Sequence, residues 1–167
     1  FALGVQSVNP DAQISVVYIN SWNDPANEKA AAESLLAQGC DVIAQHCDST
    51  GPQVAAEAAG AYAVGYNLAN PDAAPGAFLT APIWHHEKFL IPTLESIMNG
   101  TFETSSYYGN MAVGYVDLAP ISDLVGEEAK AAVEEVRAQM EAGEFSVFTG
   151  PIYDNAGNLV VAEGETL

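Results

Sequence analysis

Positive charge is the scarcest property of this chain. Its 167 residues hold 4 Lys and Arg against 22 Asp and Glu, a formal net charge of −18. Nucleic-acid binding needs clustered Lys and Arg to neutralise phosphates, so that class is excluded. The same balance excludes docking on an anionic membrane surface. Two readings of the acidity stay open: a solubilising surface, as suits a salty habitat, and an acidic face for a basic partner. Cysteine is scarce too, with Cys40 and Cys47 alone. The intervening "DVIAQH" reads as extended, which would hold their Cα atoms about 20 Å apart. A disulfide needs roughly 4.4–6.8 Å, so both are expected as small buried residues or free thiols. His46, Cys47 and Asp48 are consecutive, and no second Cys/His pair completes a tetrahedral zinc set. No metal and no cofactor is expected. No apolar run reaches the roughly 18 residues that cross a bilayer, so no segment of this chain is expected to insert in a membrane. Also missing are a Gly-rich phosphate loop, a nucleophile elbow and an HExxH helix.

What is present is a core-forming chain. Hydrophobic residues make up 49%, enough for one ordinary domain or two small lobes. "FALGVQSVNP" reads as the second half of a helix closed at Asn9-Pro10. The opening on Phe1 suggests a chain cut from something longer, so a missing signal peptide carries no weight. "ISVVYIN", Ile14 to Asn20, is β-branched and apolar, the pattern of a strand buried on both faces of a parallel sheet. "DPANEKAAAESLLAQGC" follows as a helix: Asp24 can cap it, Pro25 suits its first turn and Gly39 ends it. Then come a strand "DVIAQH", a helix "TGPQVAAEAAGA" and a strand "YAVGYN". This β-α-β-α-β order predicts a parallel sheet with right-handed crossovers. "AFLTAPIW", Ala77 to Trp84, reads as a fourth strand, followed by a helix over Glu87–Met98 and a strand in "MAVGYVDLAP". A last helix spans Glu127–Ala142, and the tail around "DNAG" reads as a hairpin with Gly157 free to take positive φ.

In open α/β sheets ligands sit beyond the carboxyl ends of the strands. That rule selects Ser21-Trp22-Asn23, His46-Cys47-Asp48 and Asn67. Trp22 can stack on a flat ligand or plug the strand-helix junction. Asp24 suits a helix N-cap and also lies within reach of such a site. Asp48 can accept from a ligand NH or OH, or cap its own turn. Trp84 offers a second aromatic for a planar ligand, or packs against a hinge. His46, His85 and His86 have no carboxylate at helical spacing. Their acidic neighbours, Asp48 and Glu87, are adjacent only in sequence, so no catalytic histidine is expected.

The order of these motifs resembles the BMP family (basic membrane lipoprotein, PnrA-like) of substrate-binding proteins for ABC transporters. The matching pieces are "LGVQSVNPDA", "NSWNDPANEKAAAESLLAQGCDVIAQHCDS", "AYAVGYN", "LTAPIW", "NGTF", "GYVDLAP" and "FTGPIYDNAGNLVVAEGE". None is diagnostic alone; together they run over essentially the whole chain. The resemblance implies an α/β type I periplasmic-binding-protein fold, in which two lobes close on a ligand at a hinge. It implies a carboxy-terminal fragment: residues 1–79 as lobe two lacking its first strand, 80–86 as the hinge crossover, and 87–167 as elements returning to lobe one with a terminal helix and hairpin.

The resemblance further implies a non-enzymatic solute-binding component of an ABC importer that takes up purine nucleosides or bases. Its partners would be that ligand and the importer's permease. Its place would be extracytoplasmic, in a periplasm or lipid-anchored at the cell surface. Trp22 matches the position where an aromatic stacks on the purine. Asn67 matches a position where the family commonly carries Asp against the ribose hydroxyls. Asn keeps the acceptor, adds a donor and loses the charge, which leaves room for a free base. Trp84 places the chain with a Trp-bearing subgroup, where many relatives have Lys nearby. The expected ligand residues are therefore Trp22, Asp24, His46, Asp48, Asn67 and Trp84. Two other readings are compatible with the same elements: the ligand-sensing domain of a transcriptional regulator with this fold, and a doubly wound enzyme that modifies nucleotides or sugars.

Overall fold

The computed structural model describes all residues, 1–167. One helix begins where the sequence supplies a side-chain cap. In helix α2 (Pro25–Ala37), which follows α1 (Ala2–Val8), the Asp24 carboxylate accepts the Asn27 N–H at 3.2 Å and Pro25 occupies the first turn. Capping satisfies a donor that the first helical turn cannot pair internally. The helix stops at Gly39, which takes φ +95. Strand β1 (Val42–Ala44), helix α3 (Gly51–Ala58), strand β2 (Tyr62–Val64), a 3-10 turn (Pro71–Ala73) and strand β3 (Phe78–Thr80) complete an alternating unit.

β1, β2 and β3 form a parallel sheet in that order. Val42, Ile43 and Ala44 stand opposite Tyr62, Ala63 and Val64, and Ala63 stands opposite Phe78. The core between sheet and helices is built from Ala32, Ile43, Ala55, Ala56, Ala61, Ala63, Ala74 and Ala77, with Leu35, Leu36 and Cys40 against it. Seven of those eight residues are alanines, so α2 and α3 approach the sheet closely.

Two expectations are corrected here. The run Ile14–Asn20 has a strand's composition but joins no ladder. No backbone amide from Gln13 to Asn23 donates a hydrogen bond, and Tyr18 is 84% exposed. β-Branched residues favour a strand only when a neighbouring strand supplies donors and acceptors. None of this chain's strands lies alongside. The run Ala77–Trp84 is two strands in two sheets. After Thr80 the chain leaves the parallel sheet, and β4 (Pro82–Trp84) pairs antiparallel with β5 (Val116–Leu118). The break falls at the buried Ala81, whose carbonyl accepts the Ala119 N–H at 2.8 Å, while Leu79 O accepts the Ser122 N–H at 2.8 Å. Phe78, Ala81 and Ala119, with Ile83, form a second small core. Two passes of chain, 79–84 outbound and 116–122 returning, thus run side by side.

Beyond β4 lie helices α4 (Glu87–Met98) and α5 (Glu127–Glu141) and a hairpin of β6 (Ile152–Tyr153) with β7 (Leu159–Val161). Gly157 takes φ +80 in its turn, and the Asp154 carboxylate accepts the Ala156 and Asn158 N–H groups. Neither α4 nor α5 buries a residue. The packed part of the molecule is therefore the parallel unit and its crossing strands.

Candidate functional site

The carboxyl ends of the strands bring His46, Tyr66 and Trp84 together, and Trp22 joins them from the loop before α2. β1 ends at Ala44, and the loop Gln45–Ser49 presents His46 and Asp48. β2 ends at Val64, and Gly65-Tyr66-Asn67 follow. An isolated bridge ties Asn67 to Ile83 of β4, which brings Tyr66 beside the hinge strand. Trp84 is the residue after Ile83, so strand alternation turns its ring away from the small core that Ile83 joins. Two asparagines hold left-handed backbone, Asn20 at φ 55 and Asn67 at φ 69. Asn tolerates that region better than branched residues, and each turn aims its neighbouring loop at the site.

The result is a continuous row of rings. Trp22 and His46 meet with centroids 5.5 Å apart and planes at 82°. His46 and Tyr66 follow at 4.3 Å and 88°, and Tyr66 and Trp84 at 5.2 Å and 77°. Each contact is edge-to-face, the arrangement in which one ring's positive edge meets the next ring's negative face. Trp22 is 64% exposed at the open end of the row, while Tyr66 and Trp84 are half-buried. The row can stack a flat ring, and Asp48 and Asn67, both exposed, can bond its edge.

Buried and half-buried polar side chains hold the loops beneath this row. The Asp48 N–H donates to Trp22 O at 2.9 Å. Gln45 Nε2 donates to Cys47 O and Ser49 O, each at 2.8 Å, and Gln53 Nε2 donates to Gln45 Oε1 at 3.2 Å. Burial opposes ionisation of Glu28, but hydrogen bonds from Ser49, the Asp24 N–H and Cys47 outweigh it and lower its pKa. Burial, reinforced by the bond to Glu28 and its charge, pushes the Cys47 thiol up to about 12. Burial and then the Asp48 charge raise the Tyr66 phenol above its ordinary value. Cys40 and Cys47 are both free thiols. No group of three His, Cys, Asp or Glu is placed to hold a metal ion.

Of the residues expected from sequence, Trp22, His46 and Trp84 fall in the row, and Asp48 and Asn67 flank it. Asp24 is spent on helix α2: its two carboxylate oxygens accept the Asn27 N–H and the Asn27 side-chain amide. Tyr66 joins two of the row's contacts and was missed by sequence reasoning, because it lay inside the predicted strand "YAVGYN". A strand ending two residues earlier would have placed it at the carboxyl edge. One histidine expectation is also corrected. His85 does have carboxylate partners in space, Asp117 at 3.4 Å and Glu87 at 3.2 Å. Asp117 lies 32 residues away across the β4–β5 ladder, where no spacing rule reaches. Arg137 in turn bonds Asp117 at 2.8 Å and Glu141 at 3.0 Å, fastening α5 to that ladder. An open depression of about 360 Å³ lies there, lined by His85, Asp117, Glu134 and Arg137. Its charges already pair with one another, and it is separate from the aromatic row.

Comparison with known proteins gives this geometry a context. Residues 1–145 match the model of the Bmp family, described as ABC transporter substrate-binding protein PnrA-like. A purine-binding protein of Brucella abortus is 36% identical over 165 residues, covering 99% of this chain and 47% of that protein. A protein of Haloferax volcanii described as an ABC transporter glucose-binding protein is 37% identical over 153 residues, covering 92% of this chain and 39% of that protein. The chain thus spans less than half the length of these relatives. The fold is similar to that of a solute-binding protein of an ABC transporter system from Conexibacter woesei. The TM-score is 0.68 at 23% identity, over 87% of this chain and 49% of that one. With its motif order, its parallel sheet flanked by helices and a family match over most of its length, this chain belongs to the PnrA-like family of ABC transporter substrate-binding proteins.

Proposed function

We propose that this chain supplies one wall of a cleft that binds a purine base or nucleoside for import, without chemical conversion. The carrying observation is the row Trp22–His46–Tyr66–Trp84, whose last three rings stand at the carboxyl ends of β1, β2 and β4 and whose first lies on the loop entering α2. A planar heteroaromatic ligand gains from an aromatic partner whatever its substituents, at about 1–3 kcal/mol per stacked base in nucleic-acid systems. Trp22, the most open ring of the row, takes the ligand's face. Asp48, Asn67 and His46 take its edge. Asn67 in place of a carboxylate weakens the grip on ribose and favours a free base over a nucleoside. Asp24 supports Trp22 through the helix cap.

Residues 80–86 act as the hinge crossover, beside the returning pass at 116–122, with residues 1–79 as one lobe and 87–167 returning to the other. The ligand is delivered to the permease of the same importer, on the extracytoplasmic side. Phosphorylated ligands are disfavoured, because the residues on and beside the row include carboxylates and no Lys or Arg. A sugar is the second reading, favoured by the Haloferax relative's description. Sugars need many directed hydrogen bonds, and this wall offers more ring surface than polar groups.

Calorimetry decides between them by titrating adenine, guanine, adenosine, guanosine and glucose into the protein. Bases or nucleosides are expected to bind and glucose to give no heat. Glucose binding without purine binding would overturn the proposal.

A further inference from the structure

Glu28 is buried to 1% exposure, in a chain where the only other fully buried polar side chain of its size is Gln53. It sits in the first turn of α2 and reaches both loops that carry the aromatic row. Oε1 accepts the Asp24 N–H at 2.7 Å, two residues after Trp22. Oε2 accepts the Ser49 N–H at 3.0 Å and the Ser49 hydroxyl, on the loop that carries His46 and Asp48. The buried Cys47 thiol lies beside the same carboxylate. No cation balances this charge. Lys29, its sequence neighbour, pairs with Glu33 at 3.7 Å. The donors themselves and the positive end of α2 keep the carboxylate ionised. Burying a charge in this way is costly, and α2 does not need it for its start, because Asp24 already caps the helix. What Glu28 adds is a link spanning 21 residues.

We infer that Glu28 is the positioning residue of the binding site: together with the direct Asp48 N–H to Trp22 O bond, its carboxylate sets the distance of Trp22 from His46 and Asp48, and through it the affinity for a planar ligand. This rests on the purine reading of the row given above. A carboxylate presents acceptors in both directions, so it can take donors from two loops at once. An amide of the same shape has one acceptor. In Glu28→Gln the NH₂ group would face the N–H and O–H of one loop, and that loop would move off. Trp22 would then leave His46, while His46 and Tyr66, carried by β1 and β2, would stay together.

Two measurements on the same variants test this. In NMR spectra the wild-type chain is expected to give cross-relaxation between the Trp22 and His46 rings and between the His46 and Tyr66 rings. Glu28→Gln should lose the first and keep the second. Ser49→Ala, which removes one donor and leaves the loop amide, should weaken the first only. Calorimetric affinity for adenine should fall about tenfold or more in Glu28→Gln and severalfold in Ser49→Ala. If Glu28→Gln fails to fold, Ser49→Ala decides alone. A folded variant that keeps the Trp22–His46 signal, or that loses it and still binds adenine as the wild type does, overturns the inference. If the wild type binds no adenine, the purine reading falls, and the ring contacts still show whether Glu28 sets the row.

Discussion

Gly65 sits where β2 gives way to Tyr66, and its lack of a side chain is a packing requirement. A Cβ added there would lie 3.0 Å from Phe78 Cε2, 3.1 Å from Gln53 Nε2 and 3.2 Å from Ala81 Cβ. All three neighbours are buried, and none is the loose end of a surface chain. Gln53 is further held by its bond to Gln45, and the Gly65 N–H is held to Thr80 O at 2.9 Å. Overpacking of this kind costs about 1–3 kcal/mol. Gly65 does not occupy the left-handed region, so alanine adds no backbone strain and gains about 0.4–1 kcal/mol by restricting the unfolded chain. The steric term wins, and Gly65→Ala should lose about 1–2 kcal/mol. Urea unfolding should show a lower midpoint at an unchanged slope. Phe78→Leu removes the ring atom nearest the new Cβ, so the double variant should lose less than the sum of the singles, with coupling of about 0.5 kcal/mol or more. A Gly65→Ala protein as stable as the wild type, or a strictly additive cycle, would refute the close approach of β2 to Phe78. Its consequence for the site is indirect: a displaced Gln53 releases Gln45, which holds the Cys47 and Ser49 carbonyls below His46.

Amides from Gln13 to Asn23 should exchange at nearly the unprotected rate, whereas Ala63, bonded to Ala77 O at 2.9 Å, should be protected; slow exchange at Val16–Ile19 would mean that run is paired after all. Cys47, with its thiol pushed up to about 12, should react with iodoacetamide far more slowly than Cys40 near neutral pH, and unfolding should equalise the two and count two free thiols. Equal rates in the folded protein would contradict the burial of Cys47 beside Glu28. Glu28 has a folded pKa below its unfolded one, so the unfolded state takes up its proton first as pH falls. Its contribution to stability is complete above the ordinary carboxylate range and is lost as pH drops through the lower, folded value. Unfolding free energies measured across that acid range should therefore fall more steeply in the wild type than in Glu28→Gln; parallel curves would show that Glu28 is not an ionised, hydrogen-bonded group.

Local chemistry written in the sequence determined the ends of α2. Asp24 and Pro25 start α2 and Gly39 ends it, because capping and left-handed termination act over a few residues. The Gly157 turn and the strand-helix alternation were legible for the same reason, and the carboxyl-end rule picked out His46, Asp48 and Asn67, with Trp22 after a run that forms no strand. Everything that depends on a distant partner was decided by the tertiary structure. Ile14–Asn20 has the residues of a strand, yet a strand exists only beside another, and none is there. Ala77–Trp84 is one apolar run, but Ala81 and Ala119 meet across a gap of sequence and divide it between two sheets. Tyr66 enters the aromatic row because β2 ends at Val64, and that end is set by pairing with β1 and β3. Glu28 looks in sequence like one more solvated helix carboxylate in an acidic chain. Only the fold brings Ser49 and Cys47 to it, since burial and hydrogen bonding between loops are properties of packed surfaces and leave no periodic trace in the chain.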